Sequence, residues 1–164
     1  MPELNNQNFN HLKIHTQYSI CEGAIKIDNL KDFCKENKIP CLGLSDTSNL
    51  CGALEFAENI SKVGTQPIIG TQIFFRFEDT TGLLPLIALN ENGYKRIIEL
   101  SSRSYLENDP LSDPHLDIKE LLIDTKGVSL LSGTIQGLFG KLFEKGRLEE
   151  ISKLYKSLSS KFND

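Results

Sequence analysis

Residues with metal-binding chemistry lie near the start of the chain, in the segment "HLKIHT" at residues 11–16. In an extended strand, side chains two residues apart lie on the same face, so Lys13 and His15 share a face. Histidine is a common metal ligand, whereas a protonated lysine has no lone pair and repels a cation. The segment therefore resembles a metal-ligand pair in which His15 is a possible ligand and Lys13 places an ammonium group at the other ligand position.

Polar residues also follow the buried strands predicted further along the chain. The strand "IPCLGLSD" ends in Asp46, and its next residue is Thr47, a weak ligand. Gln72 lies inside the following long strand, and Thr134 follows the last one. Catalytic residues of α/β barrels gather at the carboxyl ends of strands. Most of the side chains at these positions are neutral, where a metal site would need charged ones.

The elements that position these residues alternate between strands and helices. The predicted strands cover residues 11–16, 39–46, 66–77, 83–89 and 127–133. The first predicted helix begins near Asp28, which serves as its N-cap. The next two helices carry apolar residues at helical spacing within 53–60 and 94–101, and the last two cover about 118–122 and 147–161. This alternation is typical of an α/β fold with a mostly parallel sheet. Because these strands are too few to close a barrel, we expect the 164 residues to be a fragment of a longer protein.

Composition disfavours several classes of protein. No apolar run approaches the roughly 20 residues of a membrane span. Residues 1–9 form a polar tail without the pattern of a secretory signal, so we expect a cytoplasmic protein. The four cysteines form no CxxC pair, which favours reduced thiols over a structural zinc site. The net charge of −4 disfavours nucleic-acid binding by this segment alone.

Five segments, taken in order, resemble one known family. They are "HLKIHTQYSICEGAIKIDNL", "IPCLGLSDTSNLCGALEF", "QPIIGTQIFF", "LIALNENGYKRIIELSS" and "GVSLLSGTIQG". Their order and spacing are similar to the N-terminal polymerase-and-histidinol-phosphatase (PHP) domain of the bacterial replicative DNA polymerase III alpha subunit. The resemblance implies a distorted (β/α)7 barrel that is truncated before closure, with residues 10–164 forming its N-terminal two-thirds.

The resemblance also implies where family members with an intact site hold their metals, and this chain departs at most of those positions. Lys13 replaces the first histidine of a His-x-His pair, and His15 retains the second. Glu22 replaces an aspartate and could still coordinate, and Asp46 is retained. The remaining positions have lost a histidine, glutamate or cysteine and hold neutral residues, namely Thr47, Gln72, Leu83 and Thr134.

Losing several ligands and gaining an ammonium group should abolish metal binding, because even outer-shell losses cost roughly 10–100-fold in affinity. We therefore expect no catalytic residue and no bound metal in this segment. If any metal binds, we expect His15, Glu22 and Asp46 to hold it. We also expect Lys13 to be an internal cation that pairs with Asp46 or Glu22.

Three functions stay open. The resemblance implies a DNA-directed DNA polymerase whose nucleotidyl transfer uses Mg²⁺ held beyond residue 164, where DNA would also be contacted. This segment would then stabilise the polymerase III holoenzyme and dock its proofreading exonuclease subunit. The alternative is an active phosphoesterase with zinc or manganese, either a 3′–5′ exonuclease or a histidinol-phosphatase-like enzyme. A small standalone protein of this fold is the third possibility.

Overall fold

The computed structural model describes residues 9–162, so nearly all of the predicted polar tail at 1–9 lies outside the described residues. The described helices are α1 (Ile27–Asn37), α2 (Ala53–Ser61), α3 (Glu91–Leu106), α4 (Ile118–Ile123), α5 (Leu138–Glu144) and α6 (Leu148–Ser159). The described strands are β1 (Cys41–Thr47), β2 (Gln66–Phe77), β3 (Thr80–Ala88), β4 (Leu116–Asp117) and β5 (Val128–Leu130). No helix in this part of the chain is both long and apolar enough to cross a membrane.

The five strands form one mixed sheet. Strand β1 pairs in parallel with β2, and the short β4 pairs in parallel with the far end of β2. Strand β3 is antiparallel to β2, and β5 is antiparallel to β3. The α/β class is confirmed, and the strand order β1-β2-β3-β5 of the described residues is that of an open sheet, compatible with part of a barrel. The prediction of a mostly parallel sheet is wrong, because the turn at Glu78 and Asp79 folds β3 directly back onto β2.

The segment 11–16 is not a regular strand, although it runs beside β1. The Ile14 amide donates a hydrogen bond to the Gly43 carbonyl at 3.2 Å, and the Gly43 amide donates to the His11 carbonyl at 2.7 Å. A Cβ atom on Gly43 would lie 2.6 Å from the Cα of Leu12. Glycine is therefore required at this position of β1 for the segment to approach so closely.

Two hydrophobic clusters cover the sheet. The N-terminal core is formed by α1, α2 and β1 and consists of Ile27, Leu30, Cys34, Leu42, Leu44, Ala53, Phe56 and Ile60. The C-terminal core packs β2 and β3 against α3 and the later helices, and its fully buried residues include Ile73, Phe75, Leu84, Leu86, Ile97, Leu100, Leu121, Leu138, Leu142 and Leu154. The two halves of the sheet therefore pack against different helices, and Leu50 contacts both cores.

Helix boundaries follow the predicted patterns with two exceptions. Helix α1 begins at Ile27, and its N-cap residue is Lys26 with no side-chain cap, so the prediction of Asp28 as the cap is wrong. Asp28 lies one residue further, in the first turn, where a negative charge still favours the helix dipole. Helix α5 was not predicted, because it is short and contains Gly140.

Candidate functional site

A cavity of about 290 Å³ lies at the carboxyl end of β1. Its lining includes six of the predicted site positions, namely Lys13, His15, Glu22, Gln72, Leu83 and Thr134, together with Pro85, Gly133, Gln136 and Gly137. Asp46 and Thr47 do not line the cavity. The sheet register gathers these positions, because Thr47 lies opposite Gln72 and Gln72 lies opposite Pro85.

The Asp46 carboxylate is buried and already hydrogen-bonded on both oxygens. Its Oδ1 accepts from the Thr16 amide at 2.6 Å and from the Ser19 hydroxyl at 2.7 Å. Its Oδ2 accepts from the Thr16 hydroxyl at 2.7 Å. Asp46 therefore fastens the N-terminal segment to the end of β1, and we call these three residues the Asp46 tie.

The residues that complete the Asp46 tie were missed in the sequence. Thr16 and Ser19 lie three residues apart, and a turn joins them because the Ser19 amide donates to the Thr16 carbonyl at 2.9 Å. Hydroxyl residues at this spacing are common in loops, so the spacing alone carries little information. Only the path of residues 11–25 beside β1 brings both hydroxyl groups onto the carboxylate.

A second hydrogen-bonded chain runs along the cavity wall. The Gln72 Nε2 group donates to the Thr47 hydroxyl at 2.7 Å, and the Thr47 hydroxyl donates in turn to the Glu22 carboxylate. Because Thr47 gives its only proton to Glu22, it must accept from the NH₂ side of Gln72. This order fixes the amide, and the buried Gln72 Oε1 has no hydrogen-bond partner among the described residues.

Lys13 and His15 of the "HLKIHT" segment both line the cavity, and among residues 9–162 neither side chain is hydrogen-bonded to Glu22 or Asp46. Burial lowers the pKa of His15, and the charge of Lys13 lowers it further, against the opposing effect of Glu22 and Asp46. The lowered pKa favours the neutral imidazole. Its Nδ1 lies 3.5 Å from the Ser19 hydroxyl oxygen.

The expected ion pair of Lys13 is wrong. Within residues 9–162, no carboxylate oxygen lies within 4.0 Å of the Lys13 ammonium. Asp46 is occupied by Thr16 and Ser19, and Glu22 is occupied by Thr47. Lys13 is also only partly buried, so it is not an internal cation.

The side chains at this site do not fit the metal cluster that the resemblance implies. In the part of the chain that the structure describes, no three His, Cys, Asp or Glu side chains are grouped so that they could hold a metal ion. Asp46 does not line the cavity, and three of the roughly four lone-pair sites of its carboxylate already accept hydrogen bonds. Lys13 adds a positive charge to the cavity, and Gln72 and Thr134 add only neutral oxygen atoms.

The open mixed sheet, with polar residues gathered at the carboxyl end of β1, defines an α/β domain. Residues 11–164 match the family described as the PHP domain, and the chain belongs to that family.

Its curated relatives include the "DNA polymerase III subunit alpha" of Caulobacter vibrioides, which is 35% identical over 173 residues. That match covers 100% of this chain and 15% of the relative. The protein of the same name from Vibrio cholerae is 30% identical over 159 residues, which cover 95% of this chain and 14% of the relative. The chain therefore spans only about one-seventh of the length of these relatives.

Two solved structures show a more distant likeness. An amidohydrolase from Chromobacterium violaceum aligns with a TM-score of 0.49 and 15% identity over 59% of this chain and 33% of that one. A putative metal-dependent phosphoesterase from Bifidobacterium adolescentis aligns with a TM-score of 0.44 and 16% identity over 91% of this chain and 55% of that one.

Proposed function

We propose that this chain is the PHP domain of a DNA polymerase III alpha subunit, with residues 10–164 forming the N-terminal two-thirds of that domain. The full-length protein carries out template-directed DNA synthesis in the cytoplasm, with Mg²⁺ and most of the DNA held outside this chain. This segment stabilises the polymerase and docks the proofreading exonuclease subunit, without metal-dependent hydrolysis of its own. The family match and the shared name of the relatives support the assignment.

The Asp46 tie is the main support for the proposal that this segment does not hydrolyse phosphoesters. An ionised carboxylate has about four lone-pair sites, and three of those on Asp46 already accept hydrogen bonds from Thr16 and Ser19. Hydrogen bonds to a charged group contribute about 1.5–3 kcal/mol each. A metal in the cavity would have to draw Asp46 away from these bonds, and it would meet the positive charge of Lys13 there.

The first experiment measures metal content. The protein is purified without chelator, analysed for zinc, manganese and magnesium by mass spectrometry, and assayed for phosphomonoester and 3′–5′ exonuclease hydrolysis. We expect far less than one tightly held ion per chain and no hydrolysis above background. Stoichiometric metal, with activity that is lost in Asp46→Asn and kept in the control Asp32→Asn, would establish the phosphoesterase alternative. Asp32 is the matched control because it is exposed on α1.

The second experiment measures the docking role separately. Binding of the purified exonuclease subunit from the same organism is followed by surface plasmon resonance. We expect a saturable complex that persists in EDTA, because docking uses the protein surface and no metal. A protein that binds no exonuclease subunit would remove the docking role and leave the family assignment intact.

A further inference from the structure

An apolar groove of about 450 Å³ lies between α2 and α3, and we call it the α2–α3 groove. Its floor includes Pro67 and Ile69 of β2 and Ala88 of β3, which are only half-buried, so the two helices leave this part of the sheet uncovered. Leu54 of α2 and Leu89, which follows β3, also line the groove and are 72% and 65% exposed. Single exposed leucines are ordinary, but apolar side chains gathered along one groove are typical of a docking surface.

The lining of the groove fits a protein segment better than a small charged ligand. Among the described residues that line it, Glu91 is the only charged one, and its carboxylate already lies 2.6 Å from the Lys95 ammonium group. A charged ligand would have to break this ion pair to find a partner. Aliphatic side chains of a protein segment would instead be buried against Leu54 and Leu89, which removes apolar surface from water.

The charges on α2 indicate the chemistry of that segment. Helix α2 contains Glu55 and Glu58 and no basic residue. Glu55 accepts a hydrogen bond from the Tyr18 hydroxyl at 2.6 Å. Glu58 is exposed one turn after Leu54, on the same side of the helix, and within residues 9–162 no basic nitrogen lies within 4.0 Å of its carboxylate. A complementary segment therefore carries a lysine or arginine next to its aliphatic side chains.

We propose that the α2–α3 groove is the place where the proofreading exonuclease subunit docks. A segment of that subunit places aliphatic side chains between Leu54 and Leu89, and it places a lysine or arginine beside Glu58. This inference rests on the docking role given under the proposed function, and it adds the location and the chemistry of the contact. The groove shares no lining residue with the cavity that contains Lys13 and Gln72, so docking leaves that cavity free.

The test measures binding of the purified exonuclease subunit to the wild type and to variants by surface plasmon resonance. We expect Leu54→Gln and Leu89→Gln each to weaken binding about tenfold or more, because each variant loses an aliphatic contact in the centre of the groove. Leu148→Gln is the matched control and should leave the affinity unchanged, because Leu148 is a 60% exposed leucine of α6 outside the groove.

Charge reversal tests the second contact. Glu58→Lys should weaken binding and make it less sensitive to added salt, because it replaces an attraction between opposite charges by a repulsion. Glu36→Lys is the control, since Glu36 is an exposed acid of α1 outside the groove, and it should bind like the wild type. Equal effects of the two reversals would overturn the pairing at Glu58.

Hydrogen exchange of the wild-type complex gives a readout that needs no variant. We expect slower exchange in α2 and at residues 89–94 on binding, and no change in α6. Wild-type binding that persists unchanged in Leu54→Gln and Leu89→Gln, or slower exchange only elsewhere, would overturn the groove and leave the docking role standing. Absence of wild-type binding would remove the docking role and this location with it. Self-association of the wild type that is lost in Leu54→Gln would assign the groove to a second copy of the chain and also overturn the proposal.

Discussion

The wall of the cavity that comes from residues 13–22 holds ionisable side chains, whereas the wall that comes from residues 83–137 holds mostly apolar side chains and glycines. We call them the first wall and the second wall. Glu22 of the first wall accepts a hydrogen bond from a hydroxyl group, and so does Asp46, which holds this segment without lining the cavity. In the second wall, Leu83, Pro85, Gly133 and Gly137 line the space.

The difference teaches that ligand-type residues can remain in a sequence for a reason other than coordination. Asp46 is kept where it holds residues 16–19 against the sheet, so its removal would open the N-terminal segment. The second wall does not depend on a charged residue, since backbone pairing of β3 and the bridge from Leu83 to Gly137 hold it in place. The first wall should therefore be the more sensitive of the two to polar substitutions.

The largest effect should come from Asp46, which holds the segment that forms the first wall. Asp46→Ala leaves the Thr16 amide and two hydroxyl groups without an acceptor in a buried place. We expect a loss of about 3 kcal/mol or more in the free energy of unfolding, measured by urea denaturation. Asp32→Ala is the control and should change it by less than about 1 kcal/mol. Equal losses in both variants would contradict a tie at Asp46.

A smaller loss should follow from crowding the contact between the N-terminal segment and β1. Gly43→Ala places a Cβ atom 2.6 Å from the Cα of Leu12. We expect about 1–3 kcal/mol of destabilisation, together with faster amide hydrogen exchange at Ile14 than in the wild type. Gly64→Ala is a weaker control for crowding, since a Cβ atom there meets no atom within 4 Å although its φ is +81°. Unchanged exchange at Ile14 in Gly43→Ala would disprove the close contact.

The second wall should tolerate truncation better than the core behind it. Leu83 is partly exposed to the cavity, whereas its neighbour Leu84 is fully buried in the C-terminal core. We expect Leu83→Ala to cost about 1 kcal/mol and the matched variant Leu84→Ala about 2–5 kcal/mol, measured in the same denaturation assay. A loss in Leu83→Ala as large as that in Leu84→Ala would mean that the second wall is packed as tightly as the core.

The smallest effect lies outside both walls, at the β2–β3 turn. Arg147 hydrogen-bonds Asp79, with Nη2 2.7 Å from Oδ2, and lowers the pKa of this carboxyl from 3.8 to about 2. Because the folded-state pKa is depressed, the stabilisation is complete above pH 3.8 and is lost as the pH falls through about 2. We expect a slight extra loss of stability in this acid range in the wild type that is absent in Arg147→Gln, and identical pH profiles would show that the pair contributes nothing.

The fold was largely readable because its strands and helices carry strong local patterns. Strand β2 has the predicted bounds, 66–77, since its long apolar run is flanked by polar residues. The reversal after β2 was predictable, since the polar segment "EDTTG" at 78–82 indicates a turn and residues 83–89 a partner strand. The turn is shorter than predicted, because β3 already begins at Thr80. Helix α5 was missed because Gly140 weakens the helical pattern. Glycine is needed at position 140, since a Cβ atom there would lie 2.0 Å from the Ile135 carbonyl oxygen.

The sequence predicted the positions of the site residues but not their hydrogen-bond partners. Lys13, His15, Glu22 and Gln72 were singled out in the sequence, and all four line one cavity. The partners of Asp46 depend on the path of residues 11–25, which is set by long-range backbone contacts with β1 rather than by local sequence. The same contacts explain why an ion pair between Lys13 and an acid was a poor prediction, since hydroxyl groups reach the acids first.

The Asp46 tie constrains the order in which this cavity could be re-engineered for catalysis. Histidine at position 13 or glutamate at position 72 would add ligands around an aspartate that is already engaged, and the designer would gain little. Thr16 and Ser19 would have to lose their hydroxyl groups beforehand, and that step loosens the N-terminal segment that carries position 13. A replacement anchor for residues 16–19 is therefore the first requirement of any such design.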